Sequence, residues 1–140
     1  MPNSVVSHST EDLSSIAADI LEAGKNDKVI VFTGDLGSGK TTLIGNICKF
    51  LGADDYQGSP TFSLVNEYEL NNGMGIFHFD CYRIRNEVEM LDIGWEDYLA
   101  KKNWVFIEWP EKVKNLLPEH FLWVNIKVEG DNRRIDWKML

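Results

Sequence analysis

The pattern of apolar and polar residues along the chain predicts buried strands and two hairpins. Val29–Phe32 and Trp104–Ile107 are short runs of β-branched and aromatic residues, which are typical of strands buried on both faces. Apolar and polar residues also alternate on both sides of two turn-like segments, residues 71–73 and 130–132. Alternation around turns rich in Asn and Gly predicts antiparallel hairpins that keep one face in the core.

Apolar residues three and four positions apart predict three longer helices. They cover about residues 10–24, 40–51 and 83–100, and Pro110 starts a short helix that ends near residue 117. Ser9 or Thr10 is the expected N-cap of the first helix, which ends at Gly24, and Gly94 is a candidate break in the third. Strands interleaved with helices place the chain in the α/β class.

Length and composition predict one ordinary globular domain over residues 1–140. The chain has 44% hydrophobic and 26% charged residues. No apolar run reaches the roughly 18 residues of a membrane span, so we expect no membrane association. Residues 1–11 lack the basic and apolar stretches of a secretory signal. Cys48 and Cys81 have no metal-like spacing and are expected to be reduced core residues of a cytoplasmic protein.

The charge of the chain restricts its partners. The formal net charge is −8, whereas nucleic-acid affinity depends on clustered Lys and Arg. We therefore expect the chain alone to bind nucleic acid poorly. Its few local basic groups could contact RNA as part of a larger assembly.

Residues Gly34–Thr41 carry the most informative motif of the chain, because they match G-x-x-x-x-G-K-[ST] between a predicted strand and a predicted helix. Glycines let backbone N–H groups approach phosphate oxygens, and the following helix adds the positive end of its dipole. Lys40 is expected to reach the β- and γ-phosphates, Thr41 to ligate Mg²⁺ and Thr42 to bind the α-phosphate. The expected nucleotide-binding residues of the loop are Gly37, Ser38, Gly39, Lys40, Thr41 and Thr42.

Hydrolysis also needs an acid beside the P-loop. Asp80 and Glu108 each follow an apolar strand, and ligands of α/β sheets bind at the carboxyl ends of strands. Either acid could hold Mg²⁺. Thr61 is a candidate sensor of the γ-phosphate, with a plain turn residue as the alternative. His78 is interpreted as a packed strand residue, and Trp109 either covers the site or fills core.

Four segments in order along the chain give a more specific signal than the P-loop alone. They are Gly34–Thr42, Ser59–Val65 with Tyr68, His78–Arg83 and Ile107–Pro110. Together they resemble the TsaE (YjeE) family, the small bacterial ATPases of tRNA threonylcarbamoyladenosine synthesis. The resemblance covers about residues 9–137, which is nearly the whole chain.

The resemblance implies a P-loop NTPase three-layer sandwich with a mixed, partly antiparallel sheet. It implies ATP and Mg²⁺ as cofactors, and slow ATP hydrolysis that resets a TsaB–TsaD complex modifying adenosine 37 of tRNA. Glu108 becomes the first choice for Mg²⁺ together with Thr41, and Asp80 becomes the second acid. The adenine pocket is assigned near Thr10 and Arg133. Ser38 stands where Ala is common in the family, a mild departure.

Three other functions compete with this interpretation. A small-molecule kinase would usually carry an Arg-rich lid, and no insert of that length is visible. A GTPase would carry Asn-Lys-x-Asp, which is missing from the sequence. A non-enzymatic nucleotide-gated adaptor differs from a slow ATPase only in its turnover rate, so the sequence leaves it open.

Overall fold

The computed structural model describes residues 3–9, 11–35, 37–60, 63–101 and 103–140. The predicted roles of Thr10 and Thr61 therefore lie outside the described residues. The strands are β1 (Asn3–Ser7), β2 (Val29–Thr33), β3 (Val65–Glu69), β4 (Gly75–Asp80), β5 (Trp104–Glu108), β6 (Leu122–Glu129) and β7 (Asn132–Met139). The helices are α1 (Asp12–Gly24), α2 (Lys40–Phe50), α3 (Val88–Asp92), α4 (Trp95–Ala100) and a 3₁₀-helix (Pro110–Leu116).

The strands form one seven-stranded sheet in the order β1-β7-β6-β2-β5-β4-β3. The four inner strands β6, β2, β5 and β4 run parallel to one another. The two predicted hairpins, β3–β4 and β6–β7, are antiparallel, and β1 adds an antiparallel edge beside β7. The predicted mixed, partly antiparallel sheet is confirmed. Its parallel centre brings the carboxyl ends of β2, β4 and β5 to one edge.

Helices cover both faces of the sheet, as the predicted three-layer arrangement requires. On one face, α1 and α2 pack residues such as Ile16, Ile20 and Ile47 against the sheet residues Ile30 and Phe106. On the other face, α3, α4 and the 3₁₀-helix pack against β2, β4 and β5 around Trp95 and Phe79. Within the described ranges, no helix is long and apolar enough to cross a membrane.

The amino-terminal region differs from its prediction. Strand β1 was not predicted, because its sequence Asn-Ser-Val-Val-Ser has no alternation and its pairing partner β7 lies more than a hundred residues away. Helix α1 begins at Asp12 with Glu11 at its N-cap, so the choice of Ser9 was wrong. The Asp12 carboxylate accepts a hydrogen bond from the backbone N–H of His8, which ties the helix start to the end of β1.

The predicted helix over residues 83–100 is two short helices. Gly94 adopts a left-handed conformation (φ 87°) between α3 and α4, so the candidate break there is confirmed. The start at residue 83 was wrong, because the helix begins only at Val88. The Glu89 carboxylate accepts hydrogen bonds from the backbone N–H groups of Arg85 and Asn86, which holds the preceding residues outside the helix.

Candidate functional site

The P-loop joins β2 to α2 at the sheet edge that carries the ends of the parallel strands. Gly34 has φ 146°, and a Cβ there would come within 2.6 Å of the Ile126 carbonyl oxygen. Gly39 has φ 104° and is the N-cap of α2. Side chains at these two positions would disrupt the turn. The loop therefore presents its backbone and the start of α2, which is the arrangement that binds phosphates in P-loops.

Lys40 lies inward at the first position of α2, with 6% of its surface exposed. Its Nζ donates a hydrogen bond to the Gly34 carbonyl oxygen at 2.6 Å. Burial lowers the pKa of Lys40, although the nearby carboxylates of Glu108 and Asp80 oppose that change. An ammonium has three N–H donors, so the contact with Gly34 leaves donors for phosphate oxygens.

Trp109 covers Lys40 and also packs against the core on that face of the sheet, so both alternatives that the sequence left open apply. The Lys40 ammonium lies 3.8 Å from the centre of the Trp109 ring, within range of a cation–π interaction. Trp109 has φ 58°, a left-handed conformation that is unfavourable for a bulky residue and costs of order 1–3 kcal/mol. Tyr82 packs against the same indole with ring centres 4.9 Å apart. The backbone after β5 is therefore held in a strained turn that directs the ring toward the P-loop lysine.

Asp80 and Glu108 are direct neighbours across the parallel pair β4–β5. Glu108 is 3% exposed. Burial alone would raise its pKa, but hydrogen bonds from His78 and Ser59 and the charge of Lys40 outweigh burial and lower it. The two acids at the carboxyl edge of the sheet are therefore close enough to the P-loop lysine for their charges to act on it, and the lowered pKa of Glu108 favours its ionised form.

Asp80 is in a different environment from Glu108. Burial raises the pKa of Asp80, partly offset by the hydrogen bond that its Oδ1 accepts from the Tyr82 backbone N–H at 3.0 Å. The charge of Glu108 raises it further. Two carboxylates side by side thus have pKa values shifted in opposite directions, which is a common arrangement where acids take different chemical roles.

Two residues that had no assigned role, Ser59 and His78, hold the Glu108 carboxylate. The Ser59 hydroxyl donates to Glu108 Oε2 at 2.7 Å and lies 3.1 Å from the Thr41 hydroxyl. His78 Nε2 lies 2.8 Å from the same Oε2. His78 is fully buried and stacks on Tyr56, so it is packed as predicted, but it is also a direct partner of the acid. Its position two residues before Asp80 on one strand face was the available signal.

The described residues fit a magnesium ion that is shared with phosphates. Thr41 and Glu108 supply hard oxygen donors, which Mg²⁺ prefers. Among the described residues no group of three or more His, Cys, Asp or Glu side chains could hold a metal by itself. Mg²⁺ normally keeps waters and substrate phosphates in its shell and takes one or two protein ligands. The donor set is therefore appropriate for a nucleotide-bound ion.

A cavity of about 220 Å³ lies on the other side of the P-loop, where the adenine pocket was assigned. Residues that line it include His8, Ser38, Gly39, Thr42 and Arg133. The Arg133 Nε donates to the Ser38 carbonyl oxygen at 3.0 Å, which ties the β6–β7 hairpin to the loop. The Ser38 hydroxyl is buried and has no hydrogen-bond partner within the described part of the chain. Three of the predicted loop residues, Ser38, Gly39 and Thr42, thus meet Arg133 around one cavity, whereas Gly37, Lys40 and Thr41 are not in its lining.

The sheet, the P-loop and the two acids define an α/β protein with the P-loop fold. A family model described as "Threonylcarbamoyl adenosine biosynthesis protein TsaE" matches residues 7–135. The chain therefore belongs to the TsaE family, and the predicted family is confirmed.

Relatives from several bacteria are named tRNA threonylcarbamoyladenosine biosynthesis protein TsaE. The chain is 39% identical to that of Haemophilus influenzae, over 85% of this chain and 76% of the relative. It is 34% identical to that of Bacillus subtilis, over 89% of this chain and 77% of the relative. The crystal structure of Bacillus subtilis YdiB matches with a TM-score of 0.75 at 26% identity, over 98% of this chain and 84% of that chain.

The raised pKa of Asp80 gives a stability prediction. Asp80→Asn is expected to raise the midpoint of thermal unfolding at pH 7 by roughly 1–3 °C, because the folded protein disfavours the charged carboxylate. The amide oxygen can still accept from Tyr82. The pKa of Asp80 is higher in the folded protein than in the unfolded chain. The charged carboxylate therefore destabilises the folded protein above the folded pKa, and this destabilisation disappears below the unfolded pKa.

Calorimetry from pH 7 down to pH 3.5 should show that the gain in unfolding temperature of Asp80→Asn over wild type becomes smaller. The control is Asp19→Asn, an exposed position on α1, and a variant less stable than wild type at pH 7 would contradict the prediction.

Proposed function

We propose that this chain is a single ATPase domain that binds ATP with Mg²⁺, hydrolyses it slowly, and supports tRNA threonylcarbamoyladenosine synthesis by acting on a TsaB–TsaD complex. The observation that carries the proposal is the meeting of Lys40, Thr41 and two acids with shifted pKa values at one sheet edge. Membership of the TsaE family supports the biosynthetic role. Cytoplasmic location is part of the same proposal.

The loop and its flanking helix would bind the triphosphate. Backbone N–H groups of residues 37–39 would contact phosphate oxygens, and Lys40 would reach the β- and γ-phosphates. Thr42 would hydrogen-bond the α-phosphate, which directs the nucleoside toward the cavity beside Arg133. Mg²⁺, when bound, would neutralise charge that develops on the phosphates. Thr41 and Glu108 would hold it.

The opposite pKa shifts of the two acids support a division of roles. Glu108 stays ionised, which suits a metal ligand. Asp80 takes up a proton more readily, because burial and Glu108 raise its pKa, which suits a group that orients the attacking water and accepts its proton. Slow turnover by the chain alone is part of this proposal.

Coupling of hydrolysis to the partners would use the segment after α2. Ser59 contacts both Thr41 and Glu108. It lies two residues before Thr61, the predicted sensor of the γ-phosphate. We propose that ATP and ADP favour different conformations of this segment and thereby change affinity for the partner pair. The acidic chain would contact tRNA only within that complex.

The test is ATP hydrolysis by the purified chain alone and with TsaB, TsaD and tRNA. We expect slow turnover alone and faster turnover with the full set, and equal amounts of an unrelated acidic protein serve as control. Turnover that ignores the partners, or phosphoryl transfer to a small acceptor, would favour the kinase alternative. Nucleotide-dependent partner binding without turnover would favour the adaptor. Equal partner affinity with an ATP analogue and with ADP would contradict the proposed coupling.

A further inference from the structure

The hydroxyl of Ser59 lies between the two side chains expected to hold Mg²⁺. Its Oγ is 3.1 Å from Thr41 Oγ1 and 2.7 Å from Glu108 Oε2. Three oxygen atoms from three separate parts of the chain therefore meet: the start of α2, the loop after α2 and the end of β5. Sequence patterns assign no role to this serine, since it precedes a proline in a loop and its two partners lie 18 and 49 residues away.

We propose that Ser59 supplies a third protein oxygen to the divalent-cation site, beside Thr41 and Glu108. The proposal rests on the proposed function, because the ion would be the one that accompanies the nucleotide. An octahedral Mg²⁺ holds its ligands at 2.0–2.1 Å, so neighbouring ligand oxygens are about 2.9 Å apart. The two distances at Ser59 are close to this spacing. Hydroxyl oxygens of Ser and Thr are established ligands of nucleotide-bound Mg²⁺.

The surrounding contacts hold Ser59 in this position. The Gly58 carbonyl accepts a hydrogen bond from Asn66 Nδ2 at 3.1 Å, and the backbone N–H of Gln57 donates to the Tyr68 hydroxyl at 3.1 Å. Both bonds tie the residues before Ser59 to strand β3. Tyr56 adds a third connection, because its hydroxyl donates to the Thr41 carbonyl oxygen at 3.1 Å. The residues directly before Ser59 are thus attached to the sheet and to α2, and this fixes the position of the Ser59 hydroxyl.

Glu108 is oriented by the same cluster. His78 Nε2 and Ser59 Oγ both contact Oε2, so neither of them uses the second oxygen, Oε1. The buried imidazole remains as a partner of Oε2 if Ser59 turns its oxygen toward a cation. In this arrangement His78 is a positioning residue for Glu108. Ser59 gives up its hydrogen bonds to Thr41 and Glu108 and binds the cation through its oxygen instead. The alternative is that Ser59 only braces Glu108 through its hydrogen bond and has no contact with the ion.

The test measures ion affinity directly. Mg²⁺ is titrated into the complex of the whole chain with a fluorescent ADP derivative, whose signal reports binding of the ion. Nucleotide affinity without the ion is measured separately in EDTA. For Ser59→Ala we expect Mg²⁺ affinity of the complex to fall at least about tenfold, with nucleotide affinity in EDTA within twofold of wild type. The matched control is Ser63→Ala, because the Ser63 hydroxyl donates to the Val65 carbonyl in the same loop. The control should leave both affinities unchanged.

A second variant distinguishes a Ser59 that binds the ion from a Ser59 that only hydrogen-bonds to Glu108. Ser59→Cys places a sulfur at the site, and soft ligands favour thiophilic ions over Mg²⁺. We expect Ser59→Cys to lose Mg²⁺ affinity like Ser59→Ala but to bind Cd²⁺ in the ADP complex more tightly than wild type does. Unchanged Mg²⁺ affinity in Ser59→Ala, or no gain of Cd²⁺ affinity in Ser59→Cys, would overturn the assignment of Ser59 while leaving the ATPase proposal standing. A wild-type chain that binds neither ADP nor Mg²⁺ would instead overturn the proposed function itself.

Discussion

Replacing Lys40 by alanine is expected to lower ATP affinity at least about 100-fold, which corresponds to about 2.7 kcal/mol. Hydrogen bonds to charged groups contribute about 1.5–3 kcal/mol each, and this ammonium would donate to two phosphates. The effect should be large because the Lys40 ammonium is nearly buried. Water cannot easily take its place beside the phosphates when the side chain is removed. Isothermal calorimetry with a slowly hydrolysed ATP analogue, at fixed Mg²⁺ and salt, measures the loss.

The matched control is Lys49→Ala in the last turn of the same helix, where the side chain is exposed. It removes the same charge from the chain and should change ATP affinity less than twofold. Circular dichroism and thermal unfolding of both variants establish that each protein is still folded. A Lys40→Ala protein that is folded and binds the analogue as tightly as wild type would show that the nucleotide is bound elsewhere.

The sequence predicted those parts of the fold whose signals are local. The strand–loop–helix around Gly34–Thr41 and the two hairpins each combine periodicity with turn residues within about twenty positions. The edge strand β1 could not be predicted in this way, because its five residues are mostly polar and are ordered by pairing with β7. The extra turn of helix predicted before Val88 failed for a related reason. No apolar position supported helix before Val88, and the backbone N–H groups of Arg85 and Asn86 are instead bound by the Glu89 side chain.

The sequence predicted which acidic residues lie at the candidate site, but it did not predict which side chains contact them. The general rule for strand ends placed Asp80 and Glu108 together, and their register across β4–β5 confirms that they are neighbours. The partners of Glu108 followed no such rule. Ser59 reaches it from the irregular loop after α2, and His78 reaches it from the neighbouring strand through the alignment of β4 and β5. The lowered pKa of Glu108 and the raised pKa of Asp80 are consequences of those contacts and of burial, so residue types alone could not distinguish the two acids.

Glu108→Gln is expected to reduce ATP hydrolysis at least about 100-fold, a change of about 2.7 kcal/mol in the activation barrier, while ATP still binds. The amide keeps the size of the side chain but removes the charge that would hold Mg²⁺ beside Thr41. Steady-state turnover with the partners present and nucleotide binding in EDTA measure the two effects separately. The control is Glu111→Gln, an exposed acid three residues along the chain. A Glu108→Gln protein that keeps its turnover would contradict the role of Glu108 as a ligand of Mg²⁺.

The same variant tests the electrostatics without nucleotide. Because the folded protein lowers the pKa of Glu108, its ionised form stabilises the fold above the unfolded pKa of about 4.5, and this contribution is lost as the pH falls through the folded pKa. Glu108→Gln should therefore lower the unfolding free energy at pH 7 by about 1–3 kcal/mol, since hydrogen bonds from Ser59 and His78 lose a charged acceptor. The loss should shrink on acidification. Asp80→Asn is expected to change stability in the opposite direction at pH 7. Two neighbouring acids with opposite effects on stability would show that the contacts around each carboxylate, and not its position on the sheet edge, determine which one remains charged.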